Sequence, residues 1–284
     1  MIGAVGRVGL LGLQSGRRGR RLLTPASLGA SIWLTAKDAS SIIVSGSTIS
    51  QWSDKSGNGN HLVNSTGATQ PAYLATEFNG LPTVRFAFSR QDILFCQNAV
   101  GLSSASDFLI AAVFEFRVAG RAWDMVCGFR SAANTSTAGA PLLQGMLFDE
   151  QIGIHNSDRD DTRIKVDVTT RCVKRIVTVG RSGGTNGNGG TVTITATGPS
   201  QASYLTTGTQ SWNSTATNGF QLGGRQLNDV SVSFGDKDIS EIICLPYSPN
   251  TALRQQIEGY LAHEWGLSSA LPSDHPFRNS PPYL

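Results

Sequence analysis

The chain has 284 residues, 39% hydrophobic and 8% aromatic, which is enough to bury the core of one large domain or two small ones and excludes a wholly disordered polymer. Only 15% of residues are charged while 32 are glycine, a bias toward many short strands joined by tight turns, so the expected fold class is all-β. The net charge of +3 hides an asymmetry: residues 1–37 hold six basic residues and no acid, leaving the remainder at −3, which argues against a nucleic-acid partner.

Residues 1–28 read as an extended arm rich in glycine and arginine, ahead of a single domain over 29–284. Two readings of the arm stay open. It is a flexible solvated tail, or it is a docking segment in which Arg17, Arg18, Arg20 and Arg21 pair with acidic groups on a larger assembly. Its apolar start precedes the arginines, the reverse of a signal peptide, and no run reaches transmembrane length, so membrane insertion is not expected.

The globular pattern begins with Ile32-Trp33-Leu34, then Ile42-Ile43-Val44 and Thr48–Trp52, and opens into the loop Gln51–His61. Gly57 and Gly59 take positive φ without steric cost, and Asp54, Ser56, Asn58 and Asn60 bond back to their own backbone, so a rigid turn is the first reading. The second is a calcium site. From Asp54, oxygen-bearing side chains occupy the first, third, fifth and seventh positions with Gly59 sixth, like the front half of an EF-hand loop. Ser65 stands where that loop needs a bidentate glutamate, so Asp54 and Asn58 would need ligands from another strand, Asp238 or Glu241 first.

Further along, Asn79-Gly80 predicts a tight hairpin, and Val84, Phe86 and Phe88 alternate onto one face. Phe108–Phe114 is apolar on both faces and predicts a central strand covered on each side. The glycine-rich run 183–190 lacks the Gly-Lys-Ser/Thr ending of a phosphate loop and reads as a hairpin connection. Ser248-Pro249 as N-cap and N1, Leu253, Ile257, Leu261 and Trp265 at near-helical spacing, and Gly266 as the stop predict one helix over 249–265, followed by a strap over 267–284. The cysteines Cys96, Cys127, Cys172 and Cys244 show no paired spacing, and reduced buried thiols are expected.

Taken in order, Ile32–Asp38, Gln51–His61, Gln70-Pro71, Asn79–Phe86 and Ile257–Leu267 running to Leu271–Pro276 resemble the concanavalin A-like, laminin-G-type jelly-roll domains of tailed-phage virion proteins and bacterial surface proteins. The resemblance implies a two-sheet antiparallel sandwich used for binding or as a virion component. Enzymes exist among such folds, and the related glucanases carry Glu-x-Asp-x-Glu on one strand face. Here Asp236, Asp238 and Glu241 come closest, but regular alternation turns Glu241 away from the other two, so no catalytic residue is assigned.

For sugar stacking, Trp123, Trp212 and Tyr204 lie near loops, whereas Trp33, Trp52 and Trp265 read as core. The expectation is therefore a non-enzymatic phage virion protein of the tail, baseplate or fibre. Its arm contacts other virion proteins, its domain contacts a host-surface polysaccharide, and its assembly is a homo-oligomer such as a trimer. A capsid decoration protein and a carbohydrate-active hydrolase are the alternatives.

Overall fold

The computed structural model of the protein describes residues 21–96, 107–117, 124–131, 141–146, 151–156, 164–167, 173–183, 190–198, 201–209, 217–227, 230–232, 234–247 and 250–284. The strands are β1 (Ile32–Thr35), β2 (Ile42–Ser45), β3 (Thr48–Trp52), β4 (Leu62–Val63), β5 (Ala72–Phe78), β6 (Leu81–Phe86) and β7 (Leu94–Cys96). They continue as β8 (Phe108–Phe116), β9 (Asp124–Ser131), β10 (Pro141–Met146), β11 (Gln151–Asn156), β12 (Ile164–Asp167) and β13 (Arg175–Ser182). The last are β14 (Thr191–Gly198), β15 (Gln201–Thr209), β16 (Thr217–Leu222), β17 (Arg225–Leu227), β18 (Val230–Val232) and β19 (Lys237–Leu245), followed by the helix α1 (Thr251–Glu264).

The protein is an all-β sandwich of two antiparallel sheets with, among the described residues, one α-helix near the C-terminus. The first sheet runs β15-β14-β13-β8-β19-β6-β5, with β1 also paired to β19, and the second runs β12-β11-β10-β9-β16-β7-β4-β3-β2. Between them Phe86, Phe114, Ile239, Trp52 and Phe220 are buried, each large side chain stabilising the fold by about 1.5–3 kcal/mol through removal from water. Strand β8 is central, between β13 and β19, and its buried run from Phe108 to Phe114 has the second sheet on one side and α1 contacts on the other.

Local chemistry explains the connections. Asn79 (φ 48) and Gly80 (φ 77) form the two-residue turn that pairs Phe78 with Leu81 across β5 and β6. Strands β13 and β14 pair from Ser182↔Thr191 onward, so the glycine-rich run joins a hairpin. Helix α1 begins later than the sequence suggests: Asn250 is the N-cap, its side chain accepting from Leu253 N at 2.8 Å, while Ser248 and Pro249 lie outside the described residues. Trp265 caps the far end and Gly266, at φ 67, supplies the left-handed stop.

Strand β19 changes partner along one edge, pairing with β6 over Lys237–Ile239 and with β1 over Glu241–Cys244. Its ladder with β8 shifts between Ile239 and Glu241, so Ser240 is an inserted bulge residue. Asp238 stands opposite Glu115 and Glu241 opposite Val113, two residues earlier on β8. Regular alternation is thereby broken, and Glu241 returns to the face that carries Asp238, correcting the expectation that it points away.

Near the start of the described chain, Leu22 bridges to Tyr283, Leu23 is buried, and Leu284 N donates to Arg21 O at 2.8 Å. The cysteines Cys96, Cys127 and Cys244 are buried and reduced, and Cys172 lies outside the described residues.

Candidate active site

The outer face of the first sheet is divided in two. Over one part lies α1, whose Glu258 accepts from Thr195 Oγ1 at 2.6 Å and Thr178 Oγ1 at 3.2 Å. Beneath the same cover, Glu241 accepts from Trp33 Nε1 (2.8 Å), Tyr260 Oη (2.9 Å) and Trp265 Nε1 (2.6 Å). Burial raises the Glu241 carboxyl to about 7 against these three donors. Both glutamates tie β-sheet to helix and are closed to solvent.

Beyond the helix, four neighbouring strands present a row of charge. Glu115 on β8 faces Asp238 on β19, and Asp238 faces Arg85 on β6. Arg85 Nε and Nη2 donate to the two Asp238 oxygens, both at 2.8 Å, and Arg85 Nη2 also bonds Glu77 on β5. Asp238 is completely buried, whereas Glu77 is exposed and Glu115 half-buried. Two carboxylates that solvent can reach thus flank a buried carboxylate and the guanidinium that it holds.

The two outer carboxyls are driven in opposite directions. The Arg85 hydrogen bond holds Glu77 below the ordinary glutamate value. Burial pushes Glu115 above it, with Lys174 opposing the shift and Asp238 adding to it. Lys174 is almost wholly buried, donates to Ser240 Oγ at 2.7 Å and sits 4.2 Å from the Phe78 ring centroid; burial brings its pKa down to about 8. Separated acid and base tendencies on one solvent-facing surface are the pattern that acid–base catalysis requires.

The sequence-predicted calcium ligands are placed otherwise. Asp54 Oδ1 accepts from Trp33 N and Ser56 N, both at 2.9 Å, and Oδ2 from Asn60 N at 3.0 Å and Ser56 Oγ at 2.7 Å. Asn58 Nδ2 donates to Ala30 O at 2.9 Å, Asp238 is paired with Arg85, and Glu241 holds its three donors. These oxygens serve protein N–H and O–H groups, and among the described residues no group of three or more His, Cys, Asp or Glu is arranged to hold a metal ion. The residues do not fit calcium; Gln51–His61 is a rigid staple, with Gly57 at φ 95 and Gly59 at φ 72.

Trp123 and Trp212 lie outside the described residues, as do Arg17, Arg18 and Arg20, while Arg21 is exposed. Tyr204 stands in β15 opposite Ala196. Trp52 and Trp265 are fully buried, and Trp33 is half-buried against Glu241. Sequence reading passed over Glu77 and Glu115; the available signal was that Glu115 is the lone charge in Phe108–Phe116.

No protein-family model and no curated protein sequence matches the chain. Solved structures do match at the level of the fold. An arabinofuranosidase complexed with arabinofuranosyl-α-1,2-xylobiose aligns with a TM-score of 0.56 and 14% identity over 78% of this chain and 51% of that one. A GH54 α-L-arabinofuranosidase variant soaked with 4-nitrophenyl α-L-arabinofuranoside aligns at 0.54 and 11%, over 88% of this chain and 61% of that one. A Trypanosoma rangeli sialidase in complex with sialic acid aligns at 0.52 and 10%, over 82% and 34%. The chain therefore spans between about a third and three fifths of these proteins. The expectation of a non-enzymatic phage virion protein is corrected here: these fold relatives are carbohydrate-active enzymes.

Proposed function

We propose that the chain is a carbohydrate-active hydrolase that cleaves a glycosidic bond at the Glu77–Arg85–Asp238–Glu115 row. The observation that carries the reading is the opposed displacement of two solvent-reachable carboxyls on one sheet face, Glu115 upward and Glu77 downward. Glu115, the carboxyl that burial biases toward its protonated form, donates a proton to the departing glycosidic oxygen. Glu77, ionised beside Arg85, removes a proton from the attacking water. Asp238 touches neither sugar nor water; it positions Arg85.

The spacing favours one stereochemistry. Four adjacent strands at about 4.8 Å place the β5 and β8 backbones about 14 Å apart, and a guanidinium and a buried carboxylate stand between the reacting groups. A retaining pair is only about 5 Å apart and an inverting pair about 6.5–9.5 Å, so the reading is inversion with the two glutamate side chains leaning together over Arg85 and a water between them. Sugar-cleaving chemistry in fold relatives supports the substrate class.

The test is a panel of arabinose-, xylose- and sialic acid-containing oligosaccharides, followed by proton NMR of the first-formed anomer. Release of a sugar with inverted configuration is expected. Retention contradicts the assignment of Glu77 as base, and no release from any member contradicts the hydrolase reading.

A further inference from the structure

We infer that the outer face of the second sheet carries a separate binding pocket for an uncharged sugar unit of a glycan, independent of the carboxylate row. A cavity of about 640 Å³ opens there, within the roughly 300–1,000 Å³ of small-molecule sites. Its wall includes Ser50, Gln51, His61, Val63 and Phe95. The register Gln51↔Val63↔Phe95 sets three of these side chains in a row across β3, β4 and β7. Trp52, Leu62, Leu94 and Cys96, their chain neighbours, point into the core, so this row faces outward.

The chemistry of the wall selects the ligand. Among the described residues no Asp, Glu, Lys or Arg lines the cavity, so no described side chain there compensates a phosphate, a carboxylate or an ammonium group. What it offers is the half-buried Phe95 ring, an apolar face for the C–H side of a sugar, beside amide, hydroxyl and imidazole groups that bond hydroxyls. His61 Nδ1 accepts from Asp54 N at 3.0 Å, so the neutral imidazole carries its proton on Nε2 and donates from there. The Gln51 amide is oriented by donating to Ser53 Oγ at 3.0 Å, leaving its oxygen as an acceptor. Asp54 holds the loop that carries Gly59 and His61, so little ordering entropy is lost on binding.

The pocket and the carboxylate row lie on opposite outer faces, with the core between them. One sugar cannot occupy both. The pocket therefore holds a glycan chain to the protein and is no subsite of the cleavage reaction, and it discriminates against acidic sugars such as sialic acid.

Titration calorimetry tests this directly with the full chain, using xylo-, arabino- and cello-hexasaccharides as neutral probes and sialyllactose as the charged one. It uses wild type, Phe95→Ala and the volume-conserving Phe95→Leu, each in the Glu115→Gln background so that no probe is cleaved. At least one neutral hexasaccharide is expected to bind at millimolar or tighter affinity and to weaken at least tenfold in both variants, with melting temperatures in Phe95→Leu held near wild type. Cleavage of short substrates by Phe95→Leu with Glu115 restored stays at the wild-type rate. Binding of the sialylated probe in preference to the neutral ones, unchanged affinity in Phe95→Leu, or binding by no neutral probe overturns the inference. Because the readout is binding, a failure of hydrolysis leaves it standing and a failure here leaves the hydrolase reading standing.

Discussion

Arg85 and Asp238 form a two-bond pair, both contacts at 2.8 Å, in which the carboxylate is fully buried and the guanidinium remains partly open to solvent. Removing the cation leaves a buried carboxylate whose remaining ion-pair partner among the described residues is the more distant Arg117, 3.9 Å away. Arg85→Leu is therefore expected to destabilise the fold by about 3 kcal/mol, measured by urea unfolding. It also releases Glu77 from the hydrogen bond that holds its pKa down. Since the base must be ionised, activity in Arg85→Leu is lost at a higher pH on the acid side than in wild type. An unmoved acid limb argues against Glu77 as base.

A second buried pair crosses the sandwich. Lys237 on β19 meets Asp124 on β9, both fully buried, and Lys237 Nζ also donates to Gly223 O (2.9 Å) and Gly235 O (3.0 Å). A Cβ at Gly235 would fall 1.8 Å from Asp124 Oδ2, so only glycine leaves room for the carboxylate. Lys237→Met takes the ion-pair cation from the buried Asp124 and costs about 3–5 kcal/mol, while adding Asp124→Leu recovers much of the loss. Denaturant melts of the single and double variants check this, and equal stability of the two removes the ion-pair explanation.

Stability should fall across mild acid to neutral pH because of Glu241. Burial raises its folded-state pKa from 4.5 to about 7. The native state then binds more protons than the unfolded chain between these values, so the contribution is full below pH 4.5 and lost as pH rises through about 7. The shift corresponds to about 3 kcal/mol. Urea unfolding at pH 4.5 and 7.5 should show this decline in wild type and a much flatter profile in Glu241→Gln. The same slope in both proteins assigns the effect elsewhere.

The C-terminal strap is seated on a glycine. A Cβ added at Gly259 would come 2.4 Å from Phe277 Cβ, and His263 Nε2 bonds Phe277 O at 2.8 Å nearby. Gly259→Ala is expected to push Phe277 away and destabilise by about 1–3 kcal/mol despite improved helix propensity. Hydrogen exchange over residues 267–284 should rise. A more stable, equally protected variant contradicts this packing.

Much of the fold was legible in local chemistry. Phe108–Phe114 announced a strand covered on both faces, Asn79-Gly80 a two-residue turn, and Gly266 the end of the helix, because each depends on side chains within a few residues. The site was less legible. Ser240 reads as an ordinary strand residue, yet it lies where β19 passes from β6 to β1 and becomes a bulge, a tertiary event that turns Glu241 to the Asp238 face. Glu77 and Glu115 stand 38 residues apart in sequence and gain their opposed acidities only when β5, β6, β19 and β8 align. The Asp54 loop kept a calcium site open beside the rigid turn because the same oxygens that bind a cation also accept backbone N–H groups, and here they do the latter.

The most direct measurement compares the rate of sugar release by wild type, Glu115→Gln and Glu77→Gln on the best cleaved oligosaccharide, with circular dichroism confirming that all three fold. Loss of the proton donor or of the water-activating base should each lower the rate by about 100-fold or more, with wild-type activity falling as pH rises through the raised Glu115 pKa and as it falls through the lowered Glu77 pKa. Rates in the two variants equal to wild type would contradict the account.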